Sequence, residues 1–285
     1  METTLAFAPR PILDRPSPAA GRRASWATAE TAVLHRLAAF APISLAQMDA
    51  VALLDRTDTK YLLTLRQLAE VLAGLKADYQ VLEIEGVRLS AYETVYFDTP
   101  DFALYRQHQA GRPRRYKVRS RRYVETGRSF FEVKLKSGDG RTQKRRVETA
   151  GLNTWWSPAL TSVLAGWQIP LAAAGLRPAL TNTFSRITLV GRQEPERVTL
   201  DLDLQFQAAG RLVALPGLVV AEVKLDGRAS RSVCARRLQA AHLQSTSFSK
   251  YCIGAALLYP ELKHNHFKPA LRQVSRLLGG QPHVH

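Results

Sequence analysis

Apolar and polar positions alternate along many stretches of this chain, and the alternation predicts strands. In Arg197–Phe206, Val198, Leu200, Leu202, Leu204 and Phe206 face one way, and Arg197, Thr199, Asp201 and Asp203 face the other. Leu218–Leu225 repeats the theme and puts Glu222 beside Lys224 on one face. Further strands are predicted over Arg56–Leu63, Leu89–Phe97 and Leu180–Val190. From Arg115 to Arg146 the polar positions are basic. Arg115, Lys117, Arg119 and Arg121 share a parity, Lys134 and Lys136 share one with Glu132, and Lys144 and Arg146 follow. Phe131, Val133 and Leu135 turn the other way, and Gly138-Asp139-Gly140 supplies hairpin-turn chemistry. Helical spacing is read over Glu30–Phe40, Leu45–Leu54, Leu65–Leu75, Phe102–Gln109, Asn153–Gly175, Ser230–Leu243 and Lys250–Leu258, the last with Ser249 placed to cap it.

Strands with helices inserted between them predict an α+β fold. An ordinary antiparallel sheet turns its polar face to water. Here charges of both signs recur at matched places on several strands, which a closed barrel with a charged interior and helices packed outside explains better. The tryptophans Trp155, Trp156 and Trp167 are expected in the core. Residues 1–25, rich in Pro and Arg, read as a disordered tail. Residues 263–285 read as a basic flexible one.

Charge sharpens this picture. The 285 residues carry 40 Lys+Arg against 24 Asp+Glu, a formal charge of +16. Most of the excess lies between Arg106 and Arg146. Neighbouring rows of cations repel unless an anion sits between them, and phosphate suits both the planar fork of Arg and the point charge of Lys. Nucleic acid is disfavoured, because interior acids would repel a backbone that no metal accompanies. The 2 cysteines, Cys234 and Cys252, read as small buried thiols. No secretory signal pattern and no apolar stretch long enough to span a bilayer are seen, so a cytoplasmic protein without a membrane span is expected. The missing signal pattern and the several helices argue against an outer-membrane barrel.

The candidate chemistry has three parts: a row of cations, interior acids (Asp58, Glu132, Asp201, Asp203 and Glu222), and enclosure. Hard carboxylate oxygens suit Mg²⁺ or Mn²⁺ together with substrate phosphates. Phosphoryl transfer needs positioning and charge neutralisation more than a covalent nucleophile. No Walker A, Rossmann, zincin or nucleophile-elbow motif is present, and hydroxyls and histidines show no triad spacing.

Seven short motifs in order resemble one known family. They are Arg56-Thr-Asp-Thr-Lys60-Tyr, Val95-Tyr-Phe-Asp-Thr-Pro-Asp-Phe-Ala-Leu-Tyr105 and Lys117-Val-Arg119-Ser-Arg121-Arg-Tyr123. There follow Phe131-Glu-Val-Lys134 with Lys144 behind it, Arg186 with Arg197-Val-Thr-Leu-Asp201, Ala221-Glu222-Val-Lys224, and Phe248-Ser-Lys250-Tyr. Together they resemble the VTC domain, the catalytic domain of polyphosphate polymerases in the triphosphate tunnel metalloenzyme (CYTH-like) superfamily, over roughly Asp55–Tyr259. The resemblance implies an antiparallel eight-stranded closed tunnel within a domain of residues 26–262. It also implies Mn²⁺- or Mg²⁺-dependent growth of polyphosphate from the γ-phosphate of ATP. Carried over by position, Lys60, Arg119, Arg121, Lys134, Lys144, Arg186, Arg197, Lys224 and Lys250 would hold phosphates, and Glu222 the metal. Parity adds Lys117, Lys136 and Arg146 as substrate-binding candidates, and Asp201 and Asp203 as further metal candidates. Arg56 stands where the cyclase and triphosphatase branch has its first Glu, which favours long-chain phosphate. A tunnel-fold hydrolase and a non-catalytic polyphosphate binder remain the alternatives.

Overall fold

The computed structural model describes residues 20–50, 56–138, 141–171, 175–226 and 232–280. Helix α1 (Ala20–Ala38), the short β1 (Pro42–Ile43) and α2 (Leu45–Ala50) lead into β2 (Arg56–Thr64), α3 (Leu65–Ala73), β3 (Tyr79–Leu82), β4 (Ser90–Asp98) and α4 (Ala103–Gln109). The basic strands follow as β5 (Arg115–Tyr123), β6 (Ser129–Lys136) and β7 (Thr142–Thr149). After α5 (Pro158–Gly166) come β8 (Arg177–Gly191), β9 (Glu196–Ala208), β10 (Arg211–Leu215) and β11 (Leu218–Asp226). Three helices end the chain: α6 (Val233–Ala240), α7 (Lys250–Leu258) and α8 (Lys268–Leu278).

Among the described residues one sheet holds all the strands. Its main path runs β2-β11-β9-β8-β4-β5-β6-β7, and every neighbouring pair on it is antiparallel. Strand β10 is a hairpin partner of β9, and β3 joins β8 to β1. The path curls strongly: Lys134 on β6 is close enough to Glu222 and Lys224 on β11 for their charges to act on it. It does not close. Among the described residues β7 and β2 do not pair, so the expected closed barrel is an open, curled eight-strand path. The reason lies at both edges. The outer edge of β2 is taken by the loop before α7, through a bridge between Tyr61 and Ser245 and a bond from Thr246 N to Lys60 O of 2.8 Å. Strand β7 is exposed along its length and carries Lys144, Arg145 and Arg146, the kind of charged edge that resists further pairing.

Apolar faces and helices pack as the alternation predicts. Val198, Leu200 and Leu202 of β9 join Val219, Ala221 and Val223 of β11 beneath Leu68, Val71 and Leu72 of α3 and Leu238 of α6. Thr64 ends β2 and caps α3: its hydroxyl accepts from Gln67 N, and its own N–H donates to Gln67 Oε1 at 2.9 Å. Val118, Phe131 and Val133 are covered by Leu160 and Leu164 of α5 with Trp156 and Trp167. Trp155, expected in the core, is 71% exposed, because only Pro158–Gly166 of the predicted 153–175 helix forms and the loop before it turns that ring outward.

The terminal expectations also change. Residues 20–25, expected in a tail, belong to α1, while 1–19 lie outside the described residues. The expected flexible segment after 262 contains α8, whose apolar stripe buries Ala270 and Val274 against the cluster that holds α7. Asp139 and Gly140 of the predicted turn, and residues 51–54 of the second predicted helix, lie outside the described residues.

The alternation breaks once in β9. Asp203 adopts φ 53°, and the register with β8 slips between Thr183 and Ser185. This is a β-bulge, and it inverts the faces of the strand. Before it, Arg197, Thr199 and Asp201 point into the curl. After it, Leu204 and Phe206 do, packing with Leu62, Phe184, Val220 and the buried face of α7. One end of the bore is therefore filled with apolar side chains and the other is polar. Gly254 lets α7 sit close on this filling, since a Cβ there would stand 2.5 Å from Phe206 Cδ1.

Candidate active site

The polar part of the bore is a cavity of about 660 Å³. The inner faces of all eight strands of the main path, β4 contributing Tyr92 and Tyr96, and the first residue of α7 project into it. Lys60 comes from β2, Glu222 and Lys224 from β11, Arg197, Thr199 and Asp201 from β9, and Arg186 and Thr188 from β8. Lys117, Arg119 and Arg121 come from β5, Lys134 from β6, Lys144 and Arg146 from β7, and Lys250 from α7. The structure thus brings together every cation carried over by position, with Lys117 and Arg146. Lys136 has the right parity but lies exposed at the last residue of β6, beyond the rim.

Three carboxylates organise these cations, each bridging two. Glu222 pairs with Lys60 at 2.8 Å and Lys224 at 3.1 Å. Asp201, 2% exposed, accepts a fork from Arg186 at 2.5 and 2.9 Å and a second ion pair from Lys250. Glu132, fully buried, holds Arg119 through Nε at 2.6 Å and ion-pairs with Lys144. The cross-strand register explains the contacts, because Lys60 lies opposite Glu222, Arg186 opposite Asp201 and Arg119 opposite Glu132. Burial opposes the ionisation of Asp201, yet Arg186 and Lys250 hold its carboxyl below the ordinary range. Burial likewise opposes ionisation of Glu132, and Arg119 and Lys144 overcome it.

Lys117, Lys134 and Arg121 have no ion-pair partner among the described residues. Burial lowers the pKa of all three, and the nearby Arg119 adds to the effect. Lys134 stands opposite Lys117 on one side and Lys144 on the other, like charges directly across the ladder. Burial also lowers Lys144 and Lys250 to about 8, against the opposing pull of Glu132 and Asp201. Arg121 is compensated in other ways: its Nε donates to Thr94 Oγ1 at 3.1 Å, and its guanidinium lies 5.4 Å from the ring centres of both Tyr92 and Phe184. Those rings are stacked 5.0 Å apart, and Arg186 and Lys250 rest on the same platform. Sequence reasoning missed this platform. Tyr92 and Tyr96 share a parity on a predicted strand, and that was the available signal.

The metal candidates separate. Asp203 falls on the far face of the bulge, in a crevice with Val33, Leu65 and Ile187, and is removed from the site. Asp201 has both oxygens engaged by Arg186 and Lys250 and acts as their anchor. Among the described residues no group of three or more Asp, Glu, His or Cys is arranged to hold a metal. Glu222 also has both oxygens engaged, by Lys60 and Lys224, but among the described acids lining the cavity its carboxylate is the more accessible, 18% against 3% for Asp201, and its partners are lysines rather than an Arg fork. A single carboxylate fits a Mg²⁺-type ion that draws its remaining ligands from substrate phosphates and water.

The Asp98 and Tyr251 positions of the sequence motifs serve α7. Asp98 is fully buried. It accepts from Thr99 N at 2.7 Å and from Leu104 N and Tyr105 N at 2.8 Å each, and the Tyr251 hydroxyl donates to it. Lys250 is the neighbour of that tyrosine, and Ser249 caps the helix by accepting from Cys252 N. The free thiols Cys234 and Cys252 are buried, as expected.

No curated protein matches this sequence. Among solved structures, a candidate adenylate cyclase from Vibrio parahaemolyticus is similar at 16% identity and TM-score 0.42, over 70% of this chain and 98% of that one. One from Bacillus halodurans gives 16% and 0.43, over 67% and 92%. A Hippeastrum candidate adenylyl cyclase, reported to have a dominant triphosphatase activity, gives 12% and 0.47, over 71% and 96%. No helix among the described residues is long and apolar enough to cross a membrane. The VTC domain matches the sequence over residues 55–259, from the start of β2 through α7 and so across the eight strands of the main path, and the chain belongs to the VTC domain family.

Proposed function

We propose that this protein is a metal-dependent polyphosphate polymerase that transfers the γ-phosphate of ATP to a growing chain inside the basic cavity. The observation that supports it most is the set of inward cations without carboxylate partners, Lys117, Lys134 and Arg121, beside three acid-bridged pairs. Such a site is electrostatically incomplete without several anionic groups in a row, which a phosphate chain supplies. VTC family membership supports the same reading.

In this reading the protein's work is positioning. The Arg186 fork, fixed by Asp201, and Arg119, fixed by Glu132, present donors whose directions are set before substrate arrives. Lys60 and Lys224 flank Glu222 and neutralise non-bridging oxygens. Lys144 and Lys250, with pKa lowered to about 8, remain largely protonated at neutral pH and can adjust their charge to the phosphate beside them. Glu222 would hold a divalent ion, Mn²⁺ or Mg²⁺, whose chemistry is to neutralise charge on the transferring phosphoryl group. The apolar filling beyond the β9 bulge limits water on one side.

The gap between β7 and β2 favours a second reading. A side opening would let water accept the phosphoryl group and make the protein a triphosphatase. One experiment separates the two. Purified protein with ATP and Mn²⁺ should give a ladder of chains sensitive to exopolyphosphatase. Orthophosphate as sole product would establish the hydrolase instead. Glu222→Gln should remove turnover in either case by at least about a hundredfold, as expected for loss of a metal-holding charge, and near-normal turnover would refute the metal assignment.

A further inference from the structure

The row of side chains that crosses the cavity at Glu222 differs from its neighbours. Lys60 stands opposite Glu222, Glu222 opposite Thr199, and Thr199 opposite Thr188, so four strands set these residues side by side. All four line the cavity. One cation and one carboxylate cancel, and the rest of the row is uncharged hydroxyl. Elsewhere the inner face crosses Lys117, Lys134 and Lys144 in one row, and sets Arg197 beside Lys224 in another.

Thr199 is 3% exposed, and its hydroxyl oxygen reaches no solvent and has no hydrogen-bond partner among the described residues. A β-branched side chain suits a strand, but Val would fill this place without the hydroxyl. An orphaned buried hydroxyl costs stability, so packing does not account for it. Its ladder neighbours are Glu222 and Thr188, with Cβ atoms about 5 Å away at such pairings. The cations of the cavity only donate hydrogen bonds. The carboxylates of Asp201 and Glu132 are already held by cations. A hydrated divalent ion needs oxygen ligands, and its waters need acceptors; a hydroxyl meets either need. Such an ion is also repelled least where the surrounding row has no net charge.

We propose that Thr199 is a positioning residue for the divalent ion at Glu222, its hydroxyl bonding to that ion or to one of the ion's waters. This rests on the assignment of the metal to Glu222 and adds the protein group that stands beside it. Thr199 brings no charge. It draws the ion to the β9 and β8 side of Glu222, where Arg186 stands two residues from Thr188, and away from Lys60 on β2.

The test measures binding of metal-free tripolyphosphate and of its Mn²⁺ complex to the full-length protein and to Thr199→Val, Thr199→Ser and Glu222→Gln. Thr199→Val should bind the Mn²⁺ complex roughly tenfold more weakly, as expected for loss of a group that orients a metal's surroundings, and metal-free tripolyphosphate as the parent does. Thr199→Ser should restore binding of the Mn²⁺ complex. Without ligand, Thr199→Val should melt at or above the parent temperature, because an orphaned hydroxyl is gone. Parent-like binding of the Mn²⁺ complex by Thr199→Val would overturn the proposal, and so would equal weakening with and without the metal. If Glu222→Gln loses the preference for the Mn²⁺ complex while Thr199→Val keeps it, the metal assignment stands and the role of Thr199 falls. If Glu222→Gln keeps that preference too, the metal assignment fails and takes the role of Thr199 with it.

Discussion

Glu132 shows how much one side chain carries. It reaches no solvent, yet it fixes Arg119 and neutralises Lys144. Breaking a buried pair costs more than the pair contributes, because the remaining charge stays buried and alone. Glu132→Gln should therefore lower stability by about 3 kcal/mol in a denaturant titration, and saturating tripolyphosphate should recover part of the loss by giving Arg119 a new partner. At this scale the sequence was readable wherever period 2 held. Lys60, Arg119, Lys134, Arg186 and Glu222 all project as their parity requires. Asp203 was misread because it has the same side chain and the same spacing as Asp201, and a left-handed φ leaves no mark on a run of alternating residues. Lys136 shares that parity and still lies outside the cavity, because parity gives a direction and not a depth.

Helix α7 shows the same interdependence between elements. Its place is fixed by the Tyr251–Asp98 bond, the fit of Gly254 against Phe206 and the Ser249 cap. Lys250 is thereby carried to Asp201. Gly254→Ala should push the helix off the sheet and cost about 2 kcal/mol, the usual penalty of overpacking. Thermal melting would measure it, and triphosphate affinity should fall with it because Lys250 moves. Tyr251→Phe removes one buried hydrogen bond and should cost about 1 kcal/mol. Helices and strands were legible as elements, since their periods differ. The edge contacts that leave β2 and β7 unpaired were not. They depend on where the loop at Ser245–Thr246 lies, and no local pattern encodes that position.

Over the whole molecule, the cavity stores like charge. Lys144 and Lys250 are lowered to about 8 from an ordinary 10.5, so between those values the folded protein binds fewer protons than the unfolded chain. Stability of the ligand-free protein should rise with pH across that window as far as these two groups contribute, and their destabilising effect is fully present below about pH 8. A bound anion reverses this by favouring the protonated lysines. Tripolyphosphate should raise the melting temperature most near about pH 7 and distinctly less near about pH 9. An equal rise at both would mean these lysines do not touch the ligand. The inward rows of cations were legible from charge parity alone, because period 2 puts alternate basic residues of a strand on one face. The β9 bulge has one more consequence. It marks the point at which the strand changes from holding charge to holding oil, so it acts as a ruler for the compartment. Shifting it two residues toward the C-terminus would move that boundary by about 7 Å and lengthen the stretch of chain the protein can grip.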